Sequence, residues 1–243
     1  MVDPIRLAMW SGPRNISTAL MRSWENRSDT IVVDEPLYAH YLAVTGLDHP
    51  GRDEVIRAGE TDWRAVVETL VGPVDTDVRV FYQKHMAHHL LPDMDRAWTH
   101  QLDNVLLIRE PGEVVASYTK ARTDVTADDI GLPQQVRLHD ELAAAGATPI
   151  VIDAADLLGN PKGYLRALCD HLGLTFTERM LSWPPGPRPT DGVWAPYWYD
   201  AVWQSTGFAE PRPRDVHLEG AAAAVADECR PLYHHLHEAR LLL

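Results

Sequence analysis

A loop rich in small and polar residues lies near the start of the chain, between an apolar run and an amphipathic segment. Its sequence is Trp10-Ser11-Gly12-Pro13-Arg14-Asn15-Ile16-Ser17-Thr18. A strand–loop–helix turn directs backbone N–H groups and the positive end of a helix at one point, which suits a phosphate. Gly12 permits a close backbone approach, and Arg14 adds a fixed positive charge. Ser17 and Thr18 supply hydroxyl groups. The alternative is an ordinary helix start capped by a serine.

This loop differs from the ATP-type phosphate loop. The pattern G-x-x-x-x-G-K-[ST] requires a second glycine and then a lysine, where this chain has Ser17 and Thr18. The sequence also shows no clear acidic pair for Mg²⁺. We therefore interpret the loop as an anion site of a type other than the ATP-type loop. The alternatives are a metal-dependent kinase and a non-catalytic nucleotide-binding module.

Three ionisable residues stand where predicted strands end. Glu35 follows an apolar run at 30–34, Lys84 ends Phe-Tyr-Gln-Lys, and Arg109 follows Asn-Val-Leu-Leu-Ile. Open parallel sheets bind ligands at the carboxyl ends of their strands, which favours an anion-binding role for Arg109. Each residue also has an ordinary interpretation: a carboxylate that caps a helix, a solvated lysine, or an arginine paired with Glu110 or Asp153.

The elements that position these residues alternate between short apolar runs and longer helical patterns. This order predicts an α/β fold of three layers, a parallel sheet flanked by helices. The predicted strands are 5–10, 30–34, 78–83, 104–108 and 149–152. The predicted helices are 17–26, 36–44, 63–71, 112–122, 134–145, 160–172 and 216–240. We expect one domain over residues 1–243.

Residues 183–215 break the pattern, because they combine many prolines with large aromatic side chains and show no helical period. We predict a long ordered loop that forms a lid over a bound cofactor or over the acceptor molecule with which that cofactor reacts. The alternative is a surface linker. The aromatic residues concerned are Trp194, Tyr197, Trp198, Tyr199 and Trp203.

Composition limits the possible partners and location. The 243 residues are 45% hydrophobic and 23% charged, with a formal net charge of −13, which disfavours broad binding to nucleic acid or to an anionic membrane. Only two cysteines are present, and neither a signal peptide nor a membrane span is evident. We therefore expect a cytoplasmic protein acting on a small-molecule acceptor, with a homodimer as one option.

Three segments together resemble the sulfotransferase superfamily. Pro13-Arg14-Asn15-Ile16-Ser17-Thr18-Ala19-Leu20 is similar to the 5′-phosphosulfate loop, especially the P-R-S-G-T-T-L form of tyrosylprotein sulfotransferases. Residues 106–118 resemble the 3′-phosphate segment, a buried strand ending in Arg109 with Ser117 eight residues later. Residues 150–174 are similar to the strand, proline-started helix and F-L-G-L that follow. The segments occur in family order.

The resemblance implies a P-loop-like fold and transfer of a sulfuryl group from 3′-phosphoadenosine-5′-phosphosulfate (PAPS), with PAP as the product. Cofactor-binding residues would be Gly12, Pro13, Arg14, Asn15, Ile16, Ser17, Thr18, Arg109 and Ser117. Lys84 and Arg14 would neutralise charge on the leaving oxygen. Glu35 would be the general base, since tyrosylprotein sulfotransferases place a glutamate similarly.

His85 is the rival base in this interpretation. Small-molecule sulfotransferases of the cytosol carry K-T-H, with histidine two residues after lysine, whereas this chain has Met86 there and His85 one residue early. On a strand, a shift of one residue points the side chain to the other face, which favours Glu35. A local bulge or His88 remains as an alternative.

Two histidine-rich clusters could also suggest a metal site. The first holds His85, His88 and His89, and the second holds Cys229, His234, His235 and His237. Neither has the spacing of a four-ligand site, so we expect no metal.

Overall fold

A parallel sheet forms the centre of the computed structural model, which describes residues 3–74, 77–120, 124–210 and 216–243. Within these ranges the sheet has five strands in the order β2-β3-β1-β4-β5, all parallel. They are β1 Ile5–Ser11, β2 Thr30–Asp34, β3 Val80–Met86, β4 Asp103–Ile108 and β5 Ile150–Asp153. The predicted parallel α/β sheet is confirmed.

Helices connect the strands and cover both faces of the sheet. In the described ranges the α-helices are α1 Ser17–Glu25, α2 Tyr38–Thr45, α3 Arg52–Ala58, α4 Trp63–Val71, α5 Pro111–Tyr118, α6 Ala127–Ile130, α7 Leu132–Ala144, α8 Ala154–Gly159, α9 Pro161–His171, α10 Ala195–Trp198, α11 Asp200–Trp203 and α12 Gly220–Glu238. Short 3₁₀ helices cover Ala87–His89, Ala97–Gln101 and Glu178–Leu181. None of the helices in the described ranges combines the length and apolar character that a membrane crossing requires.

The two faces of the sheet bury different side chains because successive residues of a strand point to opposite sides. On one face, Trp10 and Leu106 pack with α4, α5, α7 and α12. On the other face, Met9 and Leu107 pack with α1, α8 and α9. The central strands are therefore apolar on both sides, which is why Asn-Val-Leu-Leu-Ile reads as a continuous hydrophobic run.

A third cluster of aromatic side chains covers α2 and α3 beside the sheet. Tyr38 and Tyr41 of α2 pack there with Trp194 and Tyr199 from the aromatic segment. Residues 183–210 are therefore not a plain loop: they contain α10 and α11, and Trp183, Trp194 and Tyr199 are buried. The end of the predicted loop, residues 211–215, lies outside the described residues.

Several boundaries differ from the sequence predictions. The helix expected at 36–44 begins at Tyr38 because Glu35 has φ 44°, a left-handed conformation that delays helix entry. β3 begins at Val80 and continues to Met86. The short helices α3, α6 and α8 were not predicted, since each has seven residues or fewer and carries too few periodic positions. Residues 121 and 122 of the predicted helix 112–122 lie outside the described ranges.

The strand order has its switch point at β1. The chain moves from β1 to β2 on one side of the sheet, and later crosses from β3 to β4 on the other side of β1. Open α/β sheets bind ligands in the crevice beyond the carboxyl ends of strands at such a point. The loop that follows β1 lies at this crevice.

Candidate active site

A cavity of about 530 Å³ opens at the carboxyl edge of the sheet. Loop residues 13–19, Glu35, Lys84, Arg109 and Ser117 line it. Aromatic side chains of the 194–208 region line it as well. A smaller cavity of about 170 Å³ lies beside the amino ends of β4 and β5 and contains none of the predicted site residues.

The loop after β1 leaves the start of α1 open. Arg14 and Ile16 have φ of 57° and 50°, so the backbone bends sharply just before the helix. Ile16 occupies the N-cap position and no side chain caps the helix. Ser17 is the first helical residue, and the serine cap considered as an alternative is not formed. Among the residues that the structure describes, the backbone N–H groups of the first turn have no capping side chain, which is the condition for binding an anion.

Two other loop residues anchor the turn to the rest of the fold. Asn15 is buried and donates a hydrogen bond from Nδ2 to the carbonyl oxygen of Leu107, at 2.6 Å. Gly12 is not among the residues lining the cavity. A Cβ on Gly12 would lie 2.0 Å from the carbonyl oxygen of Ile130. Gly12 is thus required by packing against the end of α6, and the close approach of its backbone to a ligand stays a prediction.

Arg109 and Ser117 both reach the loop. Arg109 donates from Nη1 to the carbonyl oxygen of Arg14, at 3.0 Å, and Arg14 donates from Nε to Ser117 Oγ, also at 3.0 Å. Arg109 forms its ion pair with Glu113, at 2.6 Å, one turn into α5. The surface partners considered in the sequence, Glu110 and Asp153, instead cap α5 and α8.

Lys84 forms the buried centre of a hydrogen-bond network. Its Nζ donates to Asp34 Oδ1 at 2.8 Å, to Glu35 Oε1 at 2.5 Å and to the hydroxyl of Tyr199 at 2.8 Å. The Tyr199 hydroxyl in turn donates to Asp34 Oδ2, at 2.7 Å. Asp34 and Lys84 are neighbours in the β2–β3 register, so the sheet itself sets their contact. Lys84 and Asp34 side chains are each 1% exposed, whereas Glu35 is 11% exposed.

Burial and the charges within the network shift the pKa values of Glu35 and Lys84. Burial raises the pKa of Glu35, and the negative charge of Asp34 adds to this, while Lys84 opposes both. Burial alone would lower the pKa of Lys84, but Asp34 and Glu35 outweigh it and hold the pKa well above its ordinary value. Lys84 is therefore a permanent cation, and Glu35 is a stronger base than an exposed carboxylate. The sequence left this balance open, with Arg14 or Lys84 as the opposing charge. Lys84 is in contact with Glu35.

His85 lies on the opposite face of β3 from Lys84. Its ring stacks on Trp10, with centroids 4.1 Å apart, and it does not line the cavity. β3 pairs with β1 without a bulge through Met86, which follows the alternation expected for a strand. Burial lowers the pKa of His85 to about 3. The structure thus separates His85 from the other candidate residues, and it brings His88 to the cavity instead.

Histidines form a potential metal-binding group that shares only His235 with the clusters considered in the sequence. Within the described residues, His139, Asp140 and His235 place ligand atoms within 4.8 Å of one another. They join α7 to α12 and do not line the cavity.

Sequence reasoning missed two residues of the site. Asp34 ends the run at 30–34, and its position beside Glu35 could have indicated a second carboxylate at the strand end. Tyr199 was noted only as one of several aromatic residues in the segment. No local pattern connects it with Lys84, because 115 residues separate them.

Two curated relatives from Arabidopsis thaliana match the chain. Branched-chain-amino-acid aminotransferase-like protein 1 is 40% identical over 213 residues, which are 87% of this chain and 38% of that protein. Branched-chain-amino-acid aminotransferase-like protein 2 is 36% identical over 239 residues, which are 96% of this chain and 42% of that protein. The chain thus spans about two fifths of the length of these relatives.

Solved structures share the fold. The sulfotransferase domain from the Synechococcus PCC 7002 olefin synthase matches with a TM-score of 0.60 and 16% identity, covering 96% of this chain and 94% of that domain. A sulfotransferase from Alicyclobacillus acidocaldarius gives a TM-score of 0.54 and 13% identity, covering 99% and 98%. Residues 5–234 of this chain match the model of a protein family that is described as the sulfotransferase domain. This range includes the sheet and the candidate active site. The chain belongs to the sulfotransferase-domain family.

Proposed function

We propose that this chain transfers a sulfuryl group from PAPS to a hydroxyl or amine of a small, uncharged acceptor, with Glu35 as the general base. The observation that carries the proposal is the convergence of Arg14, Glu35, Lys84, Arg109 and Ser117 on one cavity. These residues come from segments far apart in the sequence. Together they combine anion-binding groups with a buried base and a fixed cation.

The residues of the cavity fit the two phosphate positions of PAPS. The open first turn of α1, together with Arg14, would hold the 5′-phosphosulfate, and Arg109 with Ser117 would hold the 3′-phosphate. Arg14 donates to the Ser117 hydroxyl, and Arg109 donates to the carbonyl oxygen of Arg14 while it is paired with Glu113, so both guanidinium groups are held at the loop. An anion would be a stronger acceptor than that hydroxyl or that carbonyl oxygen. PAPS supplies the sulfuryl group and PAP leaves.

The chemical work of the chain falls on Lys84 and Glu35. Lys84, held in its charged form, would neutralise negative charge on the oxygen that leaves. Glu35 would accept the proton of the acceptor, which its raised pKa favours. Asp34 has a part in this step. The carboxylates of Asp34 and Glu35 together with Lys84 carry one net negative charge, and this charge is removed when Glu35 is protonated. Asp34 also keeps a carboxylate beside Lys84 when Glu35 becomes neutral.

An uncharged acceptor agrees with the remainder of the cavity wall. Tyr38, Trp194, Trp198, Val202 and Phe208 line it and carry no charge. Against these five side chains a charged acceptor would lose its hydration without gaining an opposite charge. The aromatic segment that supplies most of these side chains therefore acts as a cover over the acceptor.

Cys169 and Cys229 are both free and buried, which suits a reducing cytoplasm.

The other activities considered have less support. Among the described residues, the carboxylates lining the cavity belong to Glu35 and Glu210, and Glu35 is engaged by Lys84, which disfavours a Mg²⁺-dependent kinase. The relatives are named aminotransferase-like, and aminotransferases use a lysine that forms an imine. Lys84, the lysine lining the cavity, is held protonated, whereas imine formation requires a neutral amine.

Calorimetric titration with PAP and with ATP, each with and without Mg²⁺, tests the proposal. We expect PAP to bind without metal and ATP to bind weakly or not at all. PAP binding should then be followed by turnover of PAPS with an acceptor. Binding of ATP that requires Mg²⁺, without binding of PAP, would overturn the proposal in favour of a kinase. Binding of PAP with no turnover of any acceptor would favour the non-catalytic module.

A further inference from the structure

Three side chains form a polar cluster on the surface where α7 meets α12. They are His139 and Asp140 from α7 and His235 from α12. Asp140 Oδ1 lies 2.9 Å from His139 Nδ1 and also 2.9 Å from His235 Nε2. The two helices thus bring two imidazole nitrogens and one carboxylate oxygen together, although 95 residues separate Asp140 from His235.

Buried side chains beneath the cluster hold the two helices against each other. Leu138 precedes His139 and is 1% exposed, and Leu236 follows His235 and is fully buried. Both leucines belong to the core on that face of the sheet. The backbone that carries the three polar residues is therefore fixed by the core. A ligand that binds to the cluster does not have to assemble it, which lowers the entropic cost of binding.

The cluster is open to solvent and suits a cation. The side chains of Asp140 and His235 are 53% and 49% exposed, and that of His139 is 15% exposed. Hydrogen bonds from His139 and His235 lower the pKa of Asp140, so the carboxylate is charged at neutral pH. Among the described residues its ion pairs are with these two histidines, which are cations only when protonated. The formal net charge of −13 also favours the approach of a cation.

The donor atoms select the kind of ion. Two imidazoles and one carboxylate suit Zn²⁺, whereas Mg²⁺ and Ca²⁺ prefer oxygen ligands alone. Zinc ligands lie about 2.0–2.2 Å from the ion, so neighbouring tetrahedral ligands stand about 3.4 Å apart. The pairs at 2.9 Å would need to separate by about half an ångström. The exposed side chains of Asp140 and His235 have room for this movement, and a neutral imidazole can carry its proton on the other nitrogen.

We propose that His139, Asp140 and His235 bind a Zn²⁺ ion that joins α7 to α12. His139 would coordinate through Nδ1, His235 through Nε2 and Asp140 through a carboxylate oxygen, with water completing the coordination. Because these ligands come together only in the folded chain, the ion would stabilise the fold and hold α12 in place. None of the three residues lines the cavity, so the role of this site is structural and goes beyond sulfuryl transfer.

Titration of metal-free protein with ZnCl₂ tests the site. The protein is treated with EDTA and desalted, and zinc binding near neutral pH is measured by competition with a chromogenic zinc chelator. Thermal unfolding is followed by circular dichroism. Zn²⁺ at about a hundredfold excess over its Kd should raise Tm by about 5–10 °C. Mg²⁺ and Ca²⁺ should leave Tm unchanged. Absence of zinc binding, or an equal rise in Tm with Mg²⁺, would overturn the inference.

Substitutions of single ligands assign the ion to these residues. His139→Gln, Asp140→Asn and His235→Gln should each weaken zinc binding by at least about tenfold and reduce the rise in Tm. His234→Gln is the matched control, because His234 is the exposed neighbour of His235 on α12, and it should bind zinc as the wild type does. Wild-type affinity in either His139→Gln or His235→Gln would overturn the inference, since the ion would then not join the two helices. If a variant fails to fold, the remaining two decide.

This inference stands independently of the proposed function. If zinc binds at the cluster and PAP does not bind, the sulfotransfer proposal fails and the metal site stands. If PAP binds and zinc binding is the same in all the variants, the metal site is wrong and the sulfotransfer proposal stands.

Discussion

Removing the hydroxyl of Tyr199 tests the buried network most directly. The Tyr199 hydroxyl donates to Asp34 Oδ2 at 2.7 Å and accepts from Lys84 Nζ at 2.8 Å. Tyr199→Phe keeps the ring, which lies 5.2 Å from Lys84 Nζ, and removes both hydrogen bonds together with the longer one that the hydroxyl accepts from Trp194 Nε1, at 3.4 Å. Asp34 Oδ2 is then left with the backbone N–H of Gly192, at 3.4 Å. The substitution therefore leaves a buried carboxylate oxygen poorly satisfied.

The size of the effect follows from the charges involved. A hydrogen bond to a charged group contributes about 1.5–3 kcal/mol to stability. The bonds of Tyr199 to Lys84 and Asp34 belong to one network and are not additive, so we expect a loss of about 3 kcal/mol in the free energy of unfolding. For a chain of this size that corresponds to a fall of about 6–12 °C in Tm. In urea it corresponds to a fall of about 1 M in the midpoint.

Urea denaturation followed by circular dichroism measures this loss. Tyr197→Phe is the matched control, because Tyr197 lies in α10, two residues before Tyr199, and is 47% exposed. It should change the free energy of unfolding by no more than about 0.5 kcal/mol. If both variants unfold at the wild-type urea concentration, the Tyr199 hydroxyl does not bind a buried charged pair and the network is described wrongly. If both are destabilised equally, the effect belongs to the segment and not to the hydroxyl.

Other predictions concern the roles of single residues. Glu35→Gln should lower kcat by about 10²- to 10⁴-fold while PAP affinity, measured by calorimetry, stays near the wild-type value. Because the pKa of Glu35 is raised, kcat/KM should increase with pH through that raised pKa, and this acid limb should vanish in the glutamine variant. An unchanged limb would place the base elsewhere. Arg109→Ala should weaken PAP binding by about 10- to 100-fold with smaller change in kcat at saturating PAPS, and the reverse phenotype would contradict its assigned role. Gly12→Ala should destabilise the fold by about 1–3 kcal/mol, because the added Cβ would lie 2.0 Å from the Ile130 carbonyl oxygen. Gly159→Ala, with no atom within 4 Å of its Cβ, is the control, and equal denaturation midpoints would refute the packing argument.

Local sequence patterns were sufficient for much of the fold. The runs at 30–34 and 104–108 are apolar and short, and both are strands of the parallel sheet. The polar residues that follow such runs could be placed at the carboxyl edge without knowing the strand order. The alternation of side chains along a strand also separates His85 from Lys84. Short helices escaped prediction because a few residues hold too little periodicity to be recognised.

Contacts between distant segments could not be predicted in this way. The cavity wall formed by residues 194–208 depends on how the aromatic segment packs against α2 and α3, which no local pattern encodes. Gly12 was interpreted as making room for a ligand, whereas the structure shows the Ile130 carbonyl in that space. Both cases involve residues that are far apart in the chain and meet only after folding.

The sequence by itself determined the parallel α/β architecture, the loop between β1 and α1 and the placement of Glu35, Lys84 and Arg109 at strand ends. These follow from hydrophobic periodicity and from the order of residues, which are local properties. Only the tertiary structure decided that Asp34 and Tyr199 join Lys84, and that burial outweighs Lys84 in raising the pKa of Glu35. The physical reason is that electrostatic strength depends on distance and burial, and both are set by the packing of segments that the sequence keeps apart.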